Sequence, residues 1–174
     1  EVWGLRSSPT KVEEFKGRLH SSREDLDKTL LESGLIKADG KRNMGAIRAV
    51  IEACYGEDAP RSATGLIQTS DEVLMESGSE SLVALAKRTK LSKIESSFLP
   101  VVESAVHRPL NPRWNVLVRS GRASCTSPNL QQLPNEGGVR ECFEPRDGFV
   151  YTGADYNTAE LYALAQVNLN LGFA

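Results

Sequence analysis

Apolar residues recur at helical spacing through Val12, Phe15, Leu19, Leu26 and Leu30, with charged and polar residues filling the positions between them. An amphipathic helix is therefore predicted from Ser8-Pro9, where serine can cap and proline can take the first helical position, up to Gly34. A second helix is predicted over 43–55, burying Met44, Ile47, Val50, Ile51 and Cys54, with Gly56 placed to end it. Asp58 to Gln68 reads as a loop, and Thr69 with Glu72 has the spacing of a capping box for a short helix. Ser77-Gly78-Ser79 interrupts that helix. Leu82, Leu85, Leu91, Ile94 and Phe98 mark the next one, predicted over 80–99 with Pro100 at its end.

Beyond Pro112 the pattern changes. Trp114-Asn115-Val116-Leu117-Val118 is short and rich in aromatic and β-branched residues, which predicts a strand. Gly137-Gly138 and Pro145-Arg146-Asp147-Gly148 bracket two more predicted strands, 139–144 and 149–154. A last helix is predicted from Asn157, packing through Leu161, Leu164, Ala165 and Val167. The expected fold class is α+β, with a helical body followed by a small antiparallel sheet and a packed helix.

Length and composition bound what such a fold can be. The chain has 174 residues, 40% of them hydrophobic, enough for one core, or one compact lobe and part of a second. Its formal net charge is −2, yet the charge is unevenly placed. No Asp or Glu occurs between Ser104 and Asn135, a window that holds Arg108, Arg113, Arg119 and Arg122. Lys87, Arg88, Lys90 and Lys93 form a second basic run upstream. Cys54, Cys125 and Cys142 lack the paired spacing of a disulfide framework or a zinc site, which points to a reducing compartment. No apolar run reaches the roughly 18 residues of a membrane span, so a soluble, intracellular, cytoplasmic protein is expected.

Strand periodicity puts Phe149, Tyr151, Gly153 and Asp155 on one face, so the nearest same-face neighbour of Asp155 is a glycine. A carboxylate there leaves room for a divalent cation and a phosphorylated ligand. The ordinary explanation is an acid favoured by the following helix N-terminus, and Asn157 with Glu160 has capping-box spacing that needs no function. His20 lies off the apolar stripe and reads as solvent-facing.

Several motifs occur in a telling order. Ser120-Gly121-Arg122 precedes Pro128-Asn129-Leu130-Gln131-Gln132-Leu133-Pro134, then Val139-Arg140-Glu141-Cys142-Phe143, then Asp155-Tyr156-Asn157-Thr158-Ala159-Glu160. This order resembles the family A, polymerase I type, DNA polymerases up to their motif A, with wording nearest to phage members. Arg88-Thr89-Lys90-Leu91-Ser92-Lys93 resembles the family's long thumb helix, and Arg61-Ser62-Ala63-Thr64-Gly65 its thumb loop on template phosphates. The resemblance thins before about residue 40. It implies a helical connection over 1–36, a thumb over 37–100 and a partial palm over 101–174.

The resemblance also implies roles. Asp155 would be the catalytic aspartate bridging two Mg²⁺ ions, the backbone carbonyl of Tyr156 would help hold one ion, and Glu160 would pack on the nucleotide sugar to exclude a 2′-hydroxyl. Arg122, Asn129 and Gln131 would grip the primer-template minor groove, whose acceptors vary little between base pairs. Arg140 matches another family arginine, and Arg61, Arg88, Lys90 and Lys93 would meet DNA phosphates. The family usually has arginine where this chain has Tyr162. Implied partners are primer-template DNA and a deoxynucleoside triphosphate, and the implied reaction is nucleotidyl transfer to a primer 3′-hydroxyl.

Two family parts are expected to lie elsewhere. No lysine follows Lys93 to build the fingers helix, and no His-Asp-Glu occurs to supply a second metal-binding aspartate. The chain is therefore expected to be inactive alone and to need a second polypeptide, or a further C-terminal region, carrying the fingers and the rest of the palm. The alternative is a non-catalytic DNA-binding or interaction module derived from a polymerase.

Overall fold

The computed structural model describes residues 4–171, which form a larger unit ending at Glu144 and a smaller one beginning at Pro145. In the larger unit, β1 (Arg6–Ser7) leads into α1 (Pro9–Glu32), α2 (Met44–Tyr55), α3 (Asp71–Glu76), α4 (Glu80–Ser97) and α5 (Leu99–His107). Two short strands follow, β2 (Arg113–Asn115) and β3 (Ser124–Thr126), and β4 (Phe143–Glu144) closes the unit. The sheets are both two-stranded and antiparallel: β1 pairs with β4, and β2 with β3 in the register Arg113–Thr126, Trp114–Cys125, Asn115–Ser124. The fold is α+β, as the sequence predicts.

At 24 residues α1 is about 36 Å long, enough to serve two cores. Its N-terminal half, with Val12, Phe15 and Leu19, packs with Val102 and Ala105 of α5 and with Val139, Cys142 and Phe143. Its C-terminal end, through Leu30, joins Leu35, Ile47, Ile51, Leu74, Leu82 and Leu85. Ion pairs run along the seam: Lys16 with Glu103 at 3.1 Å, Arg23 with Glu95, and Arg88 with Asp27. Gly137 and Gly138, at φ of +89° and +85°, turn the chain tightly against this face. A Cβ at Gly138 would stand 3.3 Å from the Phe15 ring and 3.2 Å from Arg18 Nη2.

The local signals act with some shifts. Asn43 caps α2 by accepting from the Ala46 amide, while α3 is capped by Ser70, one residue after the predicted Thr69. Pro100 does not end a helix. It lies in the first turn of α5, where its missing N–H leaves no hydrogen bond unmade. Cys54, predicted to be core, is exposed, because the helix ends beside it and Tyr55 turns inward to donate its hydroxyl to the Val73 carbonyl at 3.0 Å.

The sheet is smaller than predicted. Residues 140–142 form a 3-10 turn rather than a strand, and only Phe143–Glu144 pairs, with β1. No strand forms over 149–154 among the described residues. The smaller unit instead runs from a turn, where the Phe149 amide bonds the Arg146 carbonyl at 2.9 Å, through an irregular stretch to α6 (Ala159–Leu171). Leu161, Leu164 and Val167, predicted to pack, are 64%, 56% and 49% exposed.

Candidate nucleic-acid interface

The β2–β3 hairpin and the loop after it organise the acid-free window. Val118 to Gly121 forms the hairpin turn, with the Gly121 amide bonding the Val118 carbonyl at 2.9 Å and Gly121 at φ +72°. Arg122 follows directly and is exposed. The next turn is braced from within. Gln131 donates its side-chain amide to the Ala123 carbonyl at 3.0 Å, and Asn129 accepts from the Gln131 backbone amide at 3.1 Å. The Cys125 thiol, buried beneath the hairpin, meets the Pro128 carbonyl at 3.4 Å. These bonds bring Arg122, Asn129 and Gln131 together on one short segment.

Arg140 is exposed and donates to the Leu133 carbonyl at 2.8 Å, tying its own 3-10 turn to the end of that loop. Arg61 lies on a separate tight loop: it bridges to Ile67 in antiparallel fashion and donates to the Gly65 carbonyl and to Glu52, each at 3.2 Å. Its side chain remains about half exposed, at 47%.

The basic run on α4 divides. Lys90 and Lys93 are exposed and border a cleft of about 660 Å³ whose floor includes Leu26, Leu91, Ile94 and Phe98. Arg88 is different. Its side chain is only 14% exposed, pairs with Asp27 and donates to the Gly40 carbonyl at 3.2 Å, so it joins α4 to α1 and to the loop before α2. A spacing signal was there to be read, since Arg88 follows Ala84 and Leu85 by four and three residues and so falls on the buried face.

In the smaller unit Asp155 and Tyr156 are exposed, Tyr156 by 88%. Since α6 starts at Ala159, with the Thr158 carbonyl accepting from the Leu161 and Tyr162 amides, Glu160 occupies the second helical position. Thr158 rather than Asn157 then directly precedes the helix. Among the described residues no group of three or more His, Cys, Asp or Glu converges as a metal centre. Asp155 and the adjoining carbonyl are hard oxygen donors of the kind Mg²⁺ takes, which makes them a fitting part of a site rather than a whole one.

Residues 17–170 match the family model described as DNA polymerase family A. This chain belongs to that family. The matched span contains all the residues above, from Arg61 to Glu160. Among curated relatives, DNA polymerase I of Borreliella burgdorferi is 28% identical over 97 residues, 51% of this chain and 11% of that protein. A thermostable DNA polymerase I of Thermus filiformis is 32% identical over 87 residues, 45% of this chain and 10% of that protein. These alignments thus cover about a tenth of each relative. No helix among the described residues of this family A chain is long and apolar enough to cross a membrane.

Proposed function

We propose that this chain is the thumb and first part of the palm of a DNA-templated DNA polymerase, binding primer-template and supplying one metal-binding aspartate. Residues 1–36 connect into the thumb, 37–100 form it, and 101–174 form the partial palm. The family match over residues 17–170 carries this reading. Exposed donors gathered on the segment from Arg122 to Gln131 support it.

Arg122, with the side-chain amides of Asn129 and Gln131, suits minor-groove acceptors that hardly change with sequence. Arg61, Lys90, Lys93 and Arg140 suit phosphates, which position without reading bases. Arg88 belongs here only through the helix that it anchors. Asp155 and the Tyr156 carbonyl would hold Mg²⁺, and Glu160 would border the nucleotide sugar. When bound, the two ions lower the pKa of the primer 3′-hydroxyl and neutralise charge on the leaving pyrophosphate. A second polypeptide or further region would carry the fingers and the other aspartate.

Fluorescence anisotropy with labelled primer-template tests this. The chain should bind with salt-dependent affinity, Arg122→Ala should weaken binding, and Asp155→Ala should leave it unchanged. A flat titration at low salt would sink the proposal. Primer extension by the chain alone, abolished by Asp155→Ala, would overturn the need for a further region. Duplex binding with no polypeptide that restores extension would favour the non-catalytic module.

A further inference from the structure

The β2–β3 hairpin carries a feature that a grip on duplex DNA does not use. Trp114 is 56% exposed, Val116 69% and Leu117 90%, all within four consecutive residues of the hairpin. Trp114 pairs across the hairpin with Cys125, which is 1% exposed, so the base of the ring's strand is anchored while the ring itself stays half open. The turn is held by the Gly121 amide and by the Leu117 amide, which bonds Asn115 Oδ1 at 2.9 Å. Arg113 and Arg119 are exposed on the same hairpin, and no acidic residue occurs anywhere from Ser104 to Asn135.

An exposed aromatic ring on a short paired strand, flanked by arginines and free of carboxylates, has the chemistry of a stacking platform for unpaired nucleotides. Duplex DNA hides its base faces, so a tryptophan face is useful only where bases are unstacked. Arginines supply the phosphate contacts on either side. A membrane surface would also take apolar residues beside arginines, and the favoured occupant is nucleic acid because the half-exposed group is a planar ring with Arg113 next to it on β2 and Arg119 and Arg122 in the connection to β3. We propose that Trp114, supported by Leu117 and the hairpin arginines, stacks on a base of single-stranded nucleic acid, such as the unpaired template beyond a primer. This rests on the polymerase reading for its biological setting, although the binding itself can be measured without it.

The test uses the full chain carrying Trp3→Phe, which leaves Trp114 as its sole tryptophan. Short oligothymidylate should quench its emission, and Trp114→Ala should weaken oligothymidylate binding about tenfold, the size of one base–aromatic stack. Trp114→Phe should recover most of that loss, which a merely structural role would not produce. Leu117→Ser, at a 90% exposed position, gives a folded control and should weaken binding less than Trp114→Ala. Blunt duplex affinity should be the same in all these variants. Oligothymidylate binding without quenching, or equal losses for duplex and single strand, would overturn the stacking platform while leaving the duplex grip standing. A blue shift of Trp114 emission with anionic phosphatidylserine vesicles but no response to oligothymidylate would overturn it in favour of a lipid surface. Single-strand quenching without any duplex binding would retain the platform and sink the polymerase grip.

Discussion

Replacing Arg88 with methionine removes its charge while keeping most of its stem, and separates two explanations of a basic helix. Its guanidinium is 14% exposed and meets both Asp27 and the Gly40 carbonyl, the latter at 3.2 Å. Hydrogen bonds to charged groups contribute about 1.5–3 kcal/mol, and removing one partner of a fully buried ion pair costs about 3–5 kcal/mol. Here the loss is smaller, because Asp27 is 30% exposed and retains Arg23 at 3.7 Å. We expect Arg88→Met to cost about 2 kcal/mol, and a cycle with Asp27→Asn to give a coupling of about 1 kcal/mol. In urea, with a slope of about 2 kcal/mol/M, the denaturation midpoint should fall by about 1 M. The log-log salt slope for primer-template binding should stay unchanged, whereas Lys90→Ala and Lys93→Ala should each lower it by about 0.9. An unmoved midpoint together with a slope reduced by about one would refute the assignment of Arg88 to the helix seam.

Three further outcomes follow from the packing of the helical body. Gly138→Ala should destabilise the chain by about 1–2 kcal/mol in urea unfolding, since it forces a side chain into a φ of +85° and against the Phe15 ring; a neutral result would mean that the turn relaxes freely. Burial, with Glu141 nearby, raises the Cys142 thiol pKa above its usual 9.0. The folded state therefore keeps its proton where the unfolded chain loses it, so this contribution to stability is full below about pH 9 and fades as pH rises further. Cys142→Ser should lessen that alkaline decline, and exposed Cys54 should react with a thiol reagent well before Cys142 does in the folded chain.

The helices were legible where apolar period and end signals agree. For α1, a serine-proline start and five apolar residues at helical spacing outweigh any competing pattern. The segment α5 escaped because proline has two meanings, a stop inside a helix and an acceptable residue in its first turn, and only the residues that follow distinguish them. The strand expected over 149–154 fails for another reason. Alternation makes a segment able to pair, but a strand also needs a neighbour to receive its hydrogen bonds, and periodicity says nothing about neighbours. Cys54 shows the limit of burial by residue type, since one turn at the end of α2 exchanges it for Tyr55.

The candidate interface was legible as a motif, but the motif mixes two kinds of constraint. Asn129 and Gln131 present amides suited to a groove, yet the Asn129 oxygen also accepts from the Gln131 backbone and the Gln131 side chain also reaches Ala123. A sequence pattern cannot separate contact from support when one side chain provides both. The Gln131 amide nitrogen can donate a second hydrogen bond while keeping the one to Ala123, so bracing and contact are compatible. For Arg122 the constraint lies in its neighbour, because the backbone at Gly121 adopts a φ of +72° at the end of the hairpin turn. The segment Gly121 to Gln131 is thus fixed first by its own backbone geometry, and the polar atoms it presents are a consequence of that geometry.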